Sequence, residues 1–352
     1  MKKSLLALAV LGAFAGGASA QSSVTLFGVV DVNARYVDNG GGKQYQMGQD
    51  GISSSRLGFR GTEDLGGGMA ASFWIEGAIN PDVGTSTGQS WQRRSTVSLS
   101  GKFGEARFGR DYTATFWNST IFDPFGTNGL GSSGNIFLVV PALPAGGGFG
   151  TLVRANNMMG YFLPSGIMGG LYGQVQVAAG ENAYGNKYFG GRIGYAAGPF
   201  NVAGAYGKTE VTGNIDGDQY NFGGSWNFGF MALSGYYGNI TIGELEQQNW
   251  YVGASAPIGL WTVRGTYGAV NRKGIDYGVD INSQDAQQFA VGFQYDLSKR
   301  TALYGTYSKI ANDGNTTNGA KFIVGGLANV AGGGAVGGQD SQGYEFGIRH
   351  SF

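Results

Sequence analysis

The chain has 352 residues, among them 68 glycines, 7 prolines and no cysteine, and its 23 basic side chains balance 23 acidic ones. Charged residues make up only 13% of the chain, whereas soluble proteins carry about 25%, and the 13% of aromatic residues argues against disorder. His350 is the single histidine, so the composition argues against a His-dependent active site and a Cys/His zinc site, and the zero net charge indicates no nucleic-acid partner.

The chain begins with the sequence MKKSLLALAVLGAFAGGASA. Lys2 and Lys3 precede an apolar run at residues 5–15, and residues 18–20 have the small-x-small pattern of a cleavage site. The apolar run is shorter than the roughly 20 residues that span a bilayer as a helix. We therefore predict a cleaved secretory signal peptide at residues 1–20, followed by one mature domain at residues 21–352.

From Val24 onward, apolar and polar residues alternate with the period of β-strands. In the first segment, Val30 and Val32 alternate with Asp31 and Asn33. The same alternation recurs at residues 69–76, 94–99, 171–177, 222–228, 249–255, 288–297 and 344–352. The pattern predicts an all-β protein built from many short strands.

The polar face of these segments carries Ser, Thr, Asn, Gln and Gly rather than the many charges of a soluble sandwich. Aromatic residues near the ends of the segments are typical of the girdles at the two membrane interfaces. The candidates for these girdles are Phe27, Tyr36, Trp74, Phe103, Tyr161, Tyr206, Trp226, Tyr251, Trp261 and Tyr295. We therefore predict a transmembrane antiparallel β-barrel with lipid outside and water inside.

The links between the segments fall into two classes. Compact links occur at residues 63–68, 198–200, 256–259 and 296–300. Longer polar stretches occur at residues 38–51, 80–89, 112–150, 207–217, 271–285 and 312–342. Short periplasmic turns and long external loops are typical of outer-membrane barrels. The mature length suits about 16 strands of roughly 9–11 membrane residues each, and about 18 strands also fit.

Several strings then occur in a characteristic order along the mature chain. They are QSSVTLFG at 21–28, SRLGFRGTEDLGGG at 55–68, RRSTVSL at 93–99, RANN at 154–157, GASAP at 253–257 and GIRHSF at 347–352. Together they resemble the trimeric general porins of Gram-negative bacteria, especially the betaproteobacterial type. The resemblance implies a sixteen-stranded barrel in the outer membrane, three chains per assembly, and a third external loop, here residues 112–150, that folds into the pore.

A general porin is a water-filled channel for passive diffusion of ions and small hydrophilic solutes, and no cofactor is expected. Its constriction selects ions by the sign of the charges on its wall. The basic wall that we predict consists of Arg56, Arg60, Arg93, Arg94 and Arg154, where the family match at 93 and 94 is ambiguous by one residue and strand parity favours Arg94. Because arginine stays charged at any working pH, this wall predicts a preference for anions.

Acidic residues are expected to balance part of this wall. Asp123 is the acid of the constriction loop, and Glu76 and Glu105 are candidate acids of the lumen. The apolar run at residues 136–144 is unusual for such a loop, so its path remains open at this point.

The C-terminal Phe352, which follows an alternating last strand, resembles the signal that the barrel-assembly machinery recognises. The expected partners are therefore this machinery, outer-membrane lipid with lipopolysaccharide, two further copies of the chain, and the ions and solutes in transit. His350 is interpreted as a barrel-end residue rather than a ligand.

Three other functions compete with a general pore. A channel selective for sugars or a carboxylate would need a track of lumen aromatics, whereas Trp74, Tyr172 and Tyr251 are scattered along the sequence. A barrel enzyme would need a usable histidine. A non-conducting adhesin or structural barrel would share the strand pattern but would give no single-channel steps.

Overall fold

Antiparallel strands dominate the computed structural model, which describes residues 23–84, 90–140, 147–276, 279–325 and 335–352. The predicted signal peptide at residues 1–20 lies outside these ranges. The strands are β1 (Ser23–Asp38), β2 (Lys43–Gly48), β3 (Arg56–Gly66), β4 (Met69–Ala78), β5 (Arg94–Gly101), β6 (Gly104–Tyr112), β7 (Arg154–Phe162), β8 (Leu171–Ala178), β9 (Tyr188–Ala197), β10 (Phe200–Thr212), β11 (Ile215–Asn227), β12 (Ala232–Ile242), β13 (Leu245–Ile258), β14 (Trp261–Lys273), β15 (Ile275–Asp276), β16 (Val279–Asp280), β17 (Ala286–Asp296), β18 (Thr301–Asn312) and β19 (Ser341–Ser351).

Within the described residues, helical structure is confined to the connections. The helices are α1 (Ala114–Phe122) and α2 (Gly134–Phe137), and a single 3-10 turn spans Ile167–Gly169. None of the described helices has the length and apolar character needed to cross a membrane.

The sheet closes on itself because β1 pairs with β19, with Val32 opposite Ile348. β2 and β3 pair with the two halves of β1 and together form one interrupted strand. Counted in this way, the described residues form a closed barrel of sixteen antiparallel strands, with the two-residue strands β15 and β16 outside it. This confirms the predicted fold. A closed sheet leaves no unpaired edge in hydrocarbon, where a bare N–H or C=O finds no partner.

The strand alternation separates an apolar outer face from a polar inner face. On β11, Phe222 points outward and is 61% exposed, whereas the adjacent Asn221 points inward and is 0% exposed. Paired aromatic residues mark both borders of the outer face, with Tyr206 opposite Tyr220 at one border and Phe200 opposite Trp226 at the other. The outer face therefore has the apolar band and the girdles expected of a barrel in lipid.

Three of the predicted girdle residues occupy the inner face instead. Phe27 and Trp74 pack against each other inside the barrel, with 4.9 Å between their ring centroids. Tyr251 is 2% exposed and stacks on Tyr236 at 4.9 Å. Their strand parity places them inside, so a position near a strand end does not by itself identify a girdle residue.

One of the predicted long loops is a tight hairpin. β10 continues to Thr212 and β11 begins at Ile215, so the prediction of a loop at residues 207–217 was wrong. The polar residues of this stretch belong to strands and pair across the hairpin, as Lys208 and Asp216 do at 3.0 Å. The polar residues here therefore belong to strands that extend beyond the apolar band, not to an irregular loop. The other long connections lie at the same end of the barrel, opposite the short turns.

The connection between β6 and β7 folds into the barrel where it is described, at residues 113–140 and 147–153, and we call these residues the inner loop. Its helix α1 packs on the inner faces of β9–β12. There, Asn118 Nδ2 donates to the Ala203 carbonyl at 3.1 Å and to Asn221 Oδ1 at 2.8 Å. Pro124 follows α1 and lies so close to β13 that a Cβ on Gly253 would be 2.5 Å from its ring. The inner loop therefore lies along one side of the lumen.

The apolar start of the run at residues 136–144 is explained by two clusters inside the barrel. Ile136 packs with Leu130 and with Phe322 of the last long connection, in a cluster that also includes wall residues. Phe137 packs with Tyr236 and Tyr251. Residues 141–146 lie outside the described ranges. The apolar side chains thus fix the inner loop to the wall and to a second inward-folded connection.

A buried ion pair fixes the middle of the inner loop, at Leu130. The Glu345 carboxylate accepts from Arg35 Nη2 at 2.7 Å and Arg35 Nε at 2.9 Å, and both side chains are 0% exposed. The other Glu345 oxygen accepts the backbone N–H of Leu130 at 3.2 Å. Glu345 thus joins β1, β19 and the inner loop at one point.

Replacing Glu345 by glutamine should destabilise the barrel, because it leaves the buried Arg35 without its closest negative partner. We expect Glu345→Gln to lower the free energy of unfolding by about 3 kcal/mol. The matched control is Asp340→Asn, which removes one partner of the exposed pair with Lys309 at 2.7 Å. This control should cost less than about 1 kcal/mol. Denaturant unfolding in detergent, followed by tryptophan fluorescence, measures both, and equal losses would contradict the anchoring role of Glu345.

Candidate pore constriction

A cavity lined by charged and aromatic side chains lies between the inner loop and the facing barrel wall, and we call it the passage. It has a volume of about 490 Å³. Its lining consists of Ser53, Ser54, Arg56, Trp74, Glu76, Arg93, Arg94, Asp111, Tyr112, Phe116, Trp117, Thr120, Gly126, Thr127, Asn128, Leu138, Val153 and Arg154. A larger groove of about 810 Å³ lies on the outer surface between β8 and β13 and is lined by apolar residues such as Phe222. Because it is on the lipid-facing side, it is not part of the passage.

Four of the five predicted arginines line this passage. Arg56, Arg94 and Arg154 are the first residues of β3, β5 and β7, respectively. Each therefore stands where a strand enters the barrel from a long connection, which brings the three side chains to a similar height. The strand register also brings Arg56 and Arg94 close together. Both lie next to β4, where Arg94 is opposite Glu76 and Arg56 is opposite Ala78.

Arg93 also reaches the passage, although strand parity favoured Arg94 alone. β5 begins only at Arg94, so the alternation does not constrain Arg93. The Arg93 backbone N–H donates to the Glu76 carbonyl at 3.0 Å, and Arg93 Nε donates to Glu76 Oε1 at 2.6 Å. Both adjacent arginines therefore contribute positive charge to the same wall.

Two carboxylates balance part of this charge. Glu76, as predicted, lies at the passage, with its Oε1 2.6 Å from Arg93 Nε and 3.9 Å from Arg56 Nε. Asp111, which the sequence analysis missed, lies 3.6 Å from Arg94 and 2.6 Å from Arg107. The alternation of β6 was a usable signal for Asp111, because it lies four positions along the strand from the inward-facing Arg107.

Arg154 is held by an aromatic ring rather than by an acid. Its guanidinium carbon lies 4.4 Å from the centroid of the Tyr112 ring, and its Nη2 donates to the Tyr112 hydroxyl at 3.0 Å. Within the described part of the chain, no carboxylate lies within ion-pair distance of Arg154. Its positive charge therefore remains uncompensated at the edge of the passage.

Arg60 and Glu105 lie on the inner face but do not line the passage. The Arg60 guanidinium lies over the rings of Phe27 and Trp74, at 5.4 and 5.2 Å. Glu105 accepts from Arg107 Nε at 2.8 Å, close to the short turn after β5. Both residues are displaced from the passage toward the short-turn end.

The Asp123 carboxylate lies inside the inner loop, not on the surface of the passage. The residue is 6% exposed. Its side chain accepts the backbone N–H groups of Phe125 at 2.9 Å, Thr127 at 3.1 Å and Ser133 at 3.0 Å, and the Ser133 hydroxyl at 2.6 Å. Burial raises the pKa of Asp123, and these hydrogen bonds act in the opposite direction. Asp123 thus shapes the loop and does not present a charge to the passage.

Sequence reasoning also missed Arg192 on β9. Its guanidinium lies 5.0 Å from the ring of Tyr172 and 5.9 Å from that of Trp117, which lines the passage. The alternation of β9 places Arg192 inside, together with the buried Tyr188 and Gly190.

Among the residues that the structure describes, no group of three His, Asp or Glu side chains is arranged to hold a metal ion.

Phe352 closes the barrel at the short-turn end. Its backbone N–H and C=O form hydrogen bonds with Gly28 at 3.0 and 3.1 Å. A Cβ on Gly28 would lie 2.3 Å from the Phe352 ring, so only glycine leaves room for it. His350 Nδ1 lies 2.9 Å from the Thr301 hydroxyl, at the same end of the barrel.

The comparisons of this chain with known protein families, sequences and structures agree with one another. A family model described as Gram-negative porin matches residues 7–315. Outer membrane porin protein 32 of Delftia acidovorans is 40% identical, with complete coverage of both chains. A second outer membrane porin protein, from Bordetella pertussis, is 30% identical over 88% of this chain and 94% of its own.

Among solved structures, an anion-selective porin from Comamonas acidovorans is 37% identical, covers 94% of this chain and 100% of its own, and superimposes with a TM-score of 0.82. A trimer form of OmpT of Vibrio cholerae shares the fold at 13% identity, 94% and 99% coverage and a TM-score of 0.64.

The different placements of Glu76 and Asp123 give a direct test of which carboxylate faces the passage. Glu76→Gln should raise the anion-to-cation permeability ratio about threefold, because it removes negative charge from the passage. Asp123→Asn removes the same charge from inside the loop and should leave the ratio nearly unchanged while increasing the noise of the open channel. Reversal potentials across a planar bilayer under a KCl gradient measure the ratio. Equal shifts in the two variants would contradict the placement of Asp123.

Proposed function

Because the chain belongs to the Gram-negative porin family, we propose that the passage beside the inner loop is the ion-selective constriction of its pore and that it favours anions. The protein is an outer-membrane channel for passive diffusion of small hydrophilic solutes and ions, not an enzyme. The proposal concerns which residues select the ions and which sign they prefer.

The observation that carries the proposal is the unequal charge of the lining. Four arginines and two carboxylates line the passage, which leaves an excess of two positive charges. Glu76 and Asp111 pair with Arg56, Arg93 and Arg94, whereas Arg154 faces the passage without a carboxylate partner. In a narrow passage with low-dielectric walls, such an excess attracts anions and repels cations.

The comparison with the Comamonas acidovorans protein supports the same sign of selectivity. That protein is described as anion-selective, and it aligns with this chain at 37% identity along the whole barrel. Arg60 extends the positive charge from the passage toward the short-turn end of the lumen, whereas Arg107 on that side is paired with Glu105 and Asp111. An anion that leaves the constriction on that side therefore still meets the Arg60 guanidinium.

The expected partners follow from the family and from the ends of the barrel. The channel is an oligomeric outer-membrane porin, and we propose that it is a homotrimer with lipopolysaccharide and outer-membrane lipid around its apolar band. A signal peptide at residues 1–20 would direct export of the mature domain 21–352. Phe352, at the closing strand, would be the residue that the barrel-assembly machinery recognises.

A sugar-selective pore is less well supported than an ion-selective one. Two of the aromatic rings that line the passage are covered by arginine side chains. Arg94 covers the Trp74 ring at 4.7 Å, and Arg154 covers the Tyr112 ring at 4.4 Å. These ring faces are therefore not free to stack on a pyranose.

Removing the uncompensated arginine tests the proposal. The wild-type channel should show a reversal potential of the sign expected for anion preference. Arg154→Ala should lower the anion-to-cation permeability ratio about fivefold, which corresponds to about 1 kcal/mol at the constriction. The readout is the reversal potential of purified channels in planar bilayers under a KCl gradient.

Arg110→Ala is the matched control. Arg110 is half-buried and donates to the Gln92 carbonyl at 2.5 Å and to Asn156 at 2.6 Å, and it does not line the passage. It carries the same charge, so a general loss of positive charge would affect both variants equally. A wild-type channel that prefers cations would overturn the proposed function.

A further inference from the structure

We infer that Tyr112 is a specificity-determining residue of the pore, because its hydroxyl group holds two arginines at the constriction without neutralising them. This inference rests on the anion preference proposed above. Sequence reasoning placed Tyr112 only at the start of a loop. Its role follows from its contacts with Arg93, which precedes β5, with Arg154 of β7 and with the inner loop.

The Tyr112 hydroxyl lies between two cationic groups. Arg154 Nη2 donates to it at 3.0 Å, and Arg93 Nη2 donates to it at 3.5 Å. The Arg154 guanidinium also lies over the Tyr112 ring, with 4.4 Å between the guanidinium carbon and the ring centroid. One side chain thus restrains Arg154 in two directions, through its ring face and through its oxygen.

The position of Tyr112 is itself fixed on both sides. Its backbone carbonyl accepts from Gln176 Nε2 of β8 at 3.0 Å. Its ring packs against Phe116 and Trp117 of α1, with centroid distances of 4.8 and 5.3 Å. The same residue therefore sets both the orientation of the arginines and the spacing between the arginine wall and the inner loop.

The chemistry of the phenol suits this position better than that of a carboxylate. A carboxylate would hold two guanidinium groups more strongly but would cancel one positive charge. A phenol oxygen is neutral and accepts from both arginines, so the charge of Arg154, which has no carboxylate partner among the described residues, stays available to an anion. Since both contacts use the oxygen as acceptor, the phenol proton remains free for donation to an acceptor in the passage. An anion next to Arg154 would then also receive a hydrogen bond from the Tyr112 hydroxyl.

The variant Tyr112→Phe tests the role of the oxygen while it keeps the ring and its packing. We expect the anion-to-cation permeability ratio to fall about threefold, a change of the size of one net hydrogen bond. Single-channel conductance steps and the heat-modifiable migration of the folded barrel should be retained. The reversal potential under a KCl gradient supplies the ratio.

Tyr172→Phe is the matched control. Tyr172 also points into the lumen, also lies under an arginine (Arg192, at 5.0 Å) and also uses its hydroxyl, which donates to Asn201 at 2.7 Å. Tyr172 does not line the passage. Its variant should therefore keep the wild-type permeability ratio.

A double-mutant cycle with Arg154→Ala separates positioning from a general effect on the pore. If Tyr112 acts by holding Arg154, the Tyr112→Phe exchange should change the ratio much less in the Arg154→Ala background than in the wild type. Strictly additive effects, or a Tyr112→Phe channel with the wild-type ratio, would overturn the inference and leave the anion preference of the wild type intact. A wild-type channel without anion preference would instead overturn the proposed function, and the inference with it.

Arg154→Lys gives a second test if Tyr112→Phe yields no folded channel. Lysine keeps the charge but lacks the planar group that lies on the ring and donates sideways to the phenol oxygen. The ratio should fall although the charge of the passage is unchanged. An unchanged ratio would contradict the positioning role of Tyr112.

Discussion

The structure depends on one constraint: within hydrocarbon, every backbone N–H and C=O must find a partner in the protein. Sixteen strands meet this constraint by pairing around a closed ring, and the pairing of β1 with β19 removes the last free edge. Closure also fixes which residues face inward, because alternate side chains must point to opposite faces. The polar inner face that supports the constriction is thus a direct result of backbone hydrogen bonding in lipid.

Inside this ring, the inner loop divides the lumen into a packed side and an open side. Asn118, Phe137 and Leu130 tie the loop to successive strands from β10 to β19, through hydrogen bonds, apolar clusters and the buried pair of Arg35 and Glu345. The open side is bordered by β3–β7, and the first residues of β3, β5 and β7 supply three of its four arginines. The position of the passage therefore follows from where the loop packs, and its charge follows from the opposite wall.

Much of this could be predicted from the sequence. The alternation predicted many short strands, the weakly charged polar face distinguished a barrel from a soluble sandwich, and the inward parity of Arg56, Arg94 and Glu76 brought them to the passage. Other features depend on geometry that a strand pattern does not contain. Arg93 precedes its strand, so parity gave the wrong side for it. Asp123 turns away from the passage because its carboxylate accepts four hydrogen bonds within the loop. The polar residues 207–217 form a hairpin above the apolar band, where polarity no longer distinguishes strand from loop.

The arginines that stand at the first positions of β3, β5 and β7 have a consequence for how such channels diversify. Each of these side chains is attached to a strand that the barrel requires, yet none of them takes part in the contacts that seat the loop. A few substitutions at strand starts could thus alter which solutes pass while the scaffold remains intact. The charge of the passage and the closure of the barrel therefore rest on different contacts of the same strands.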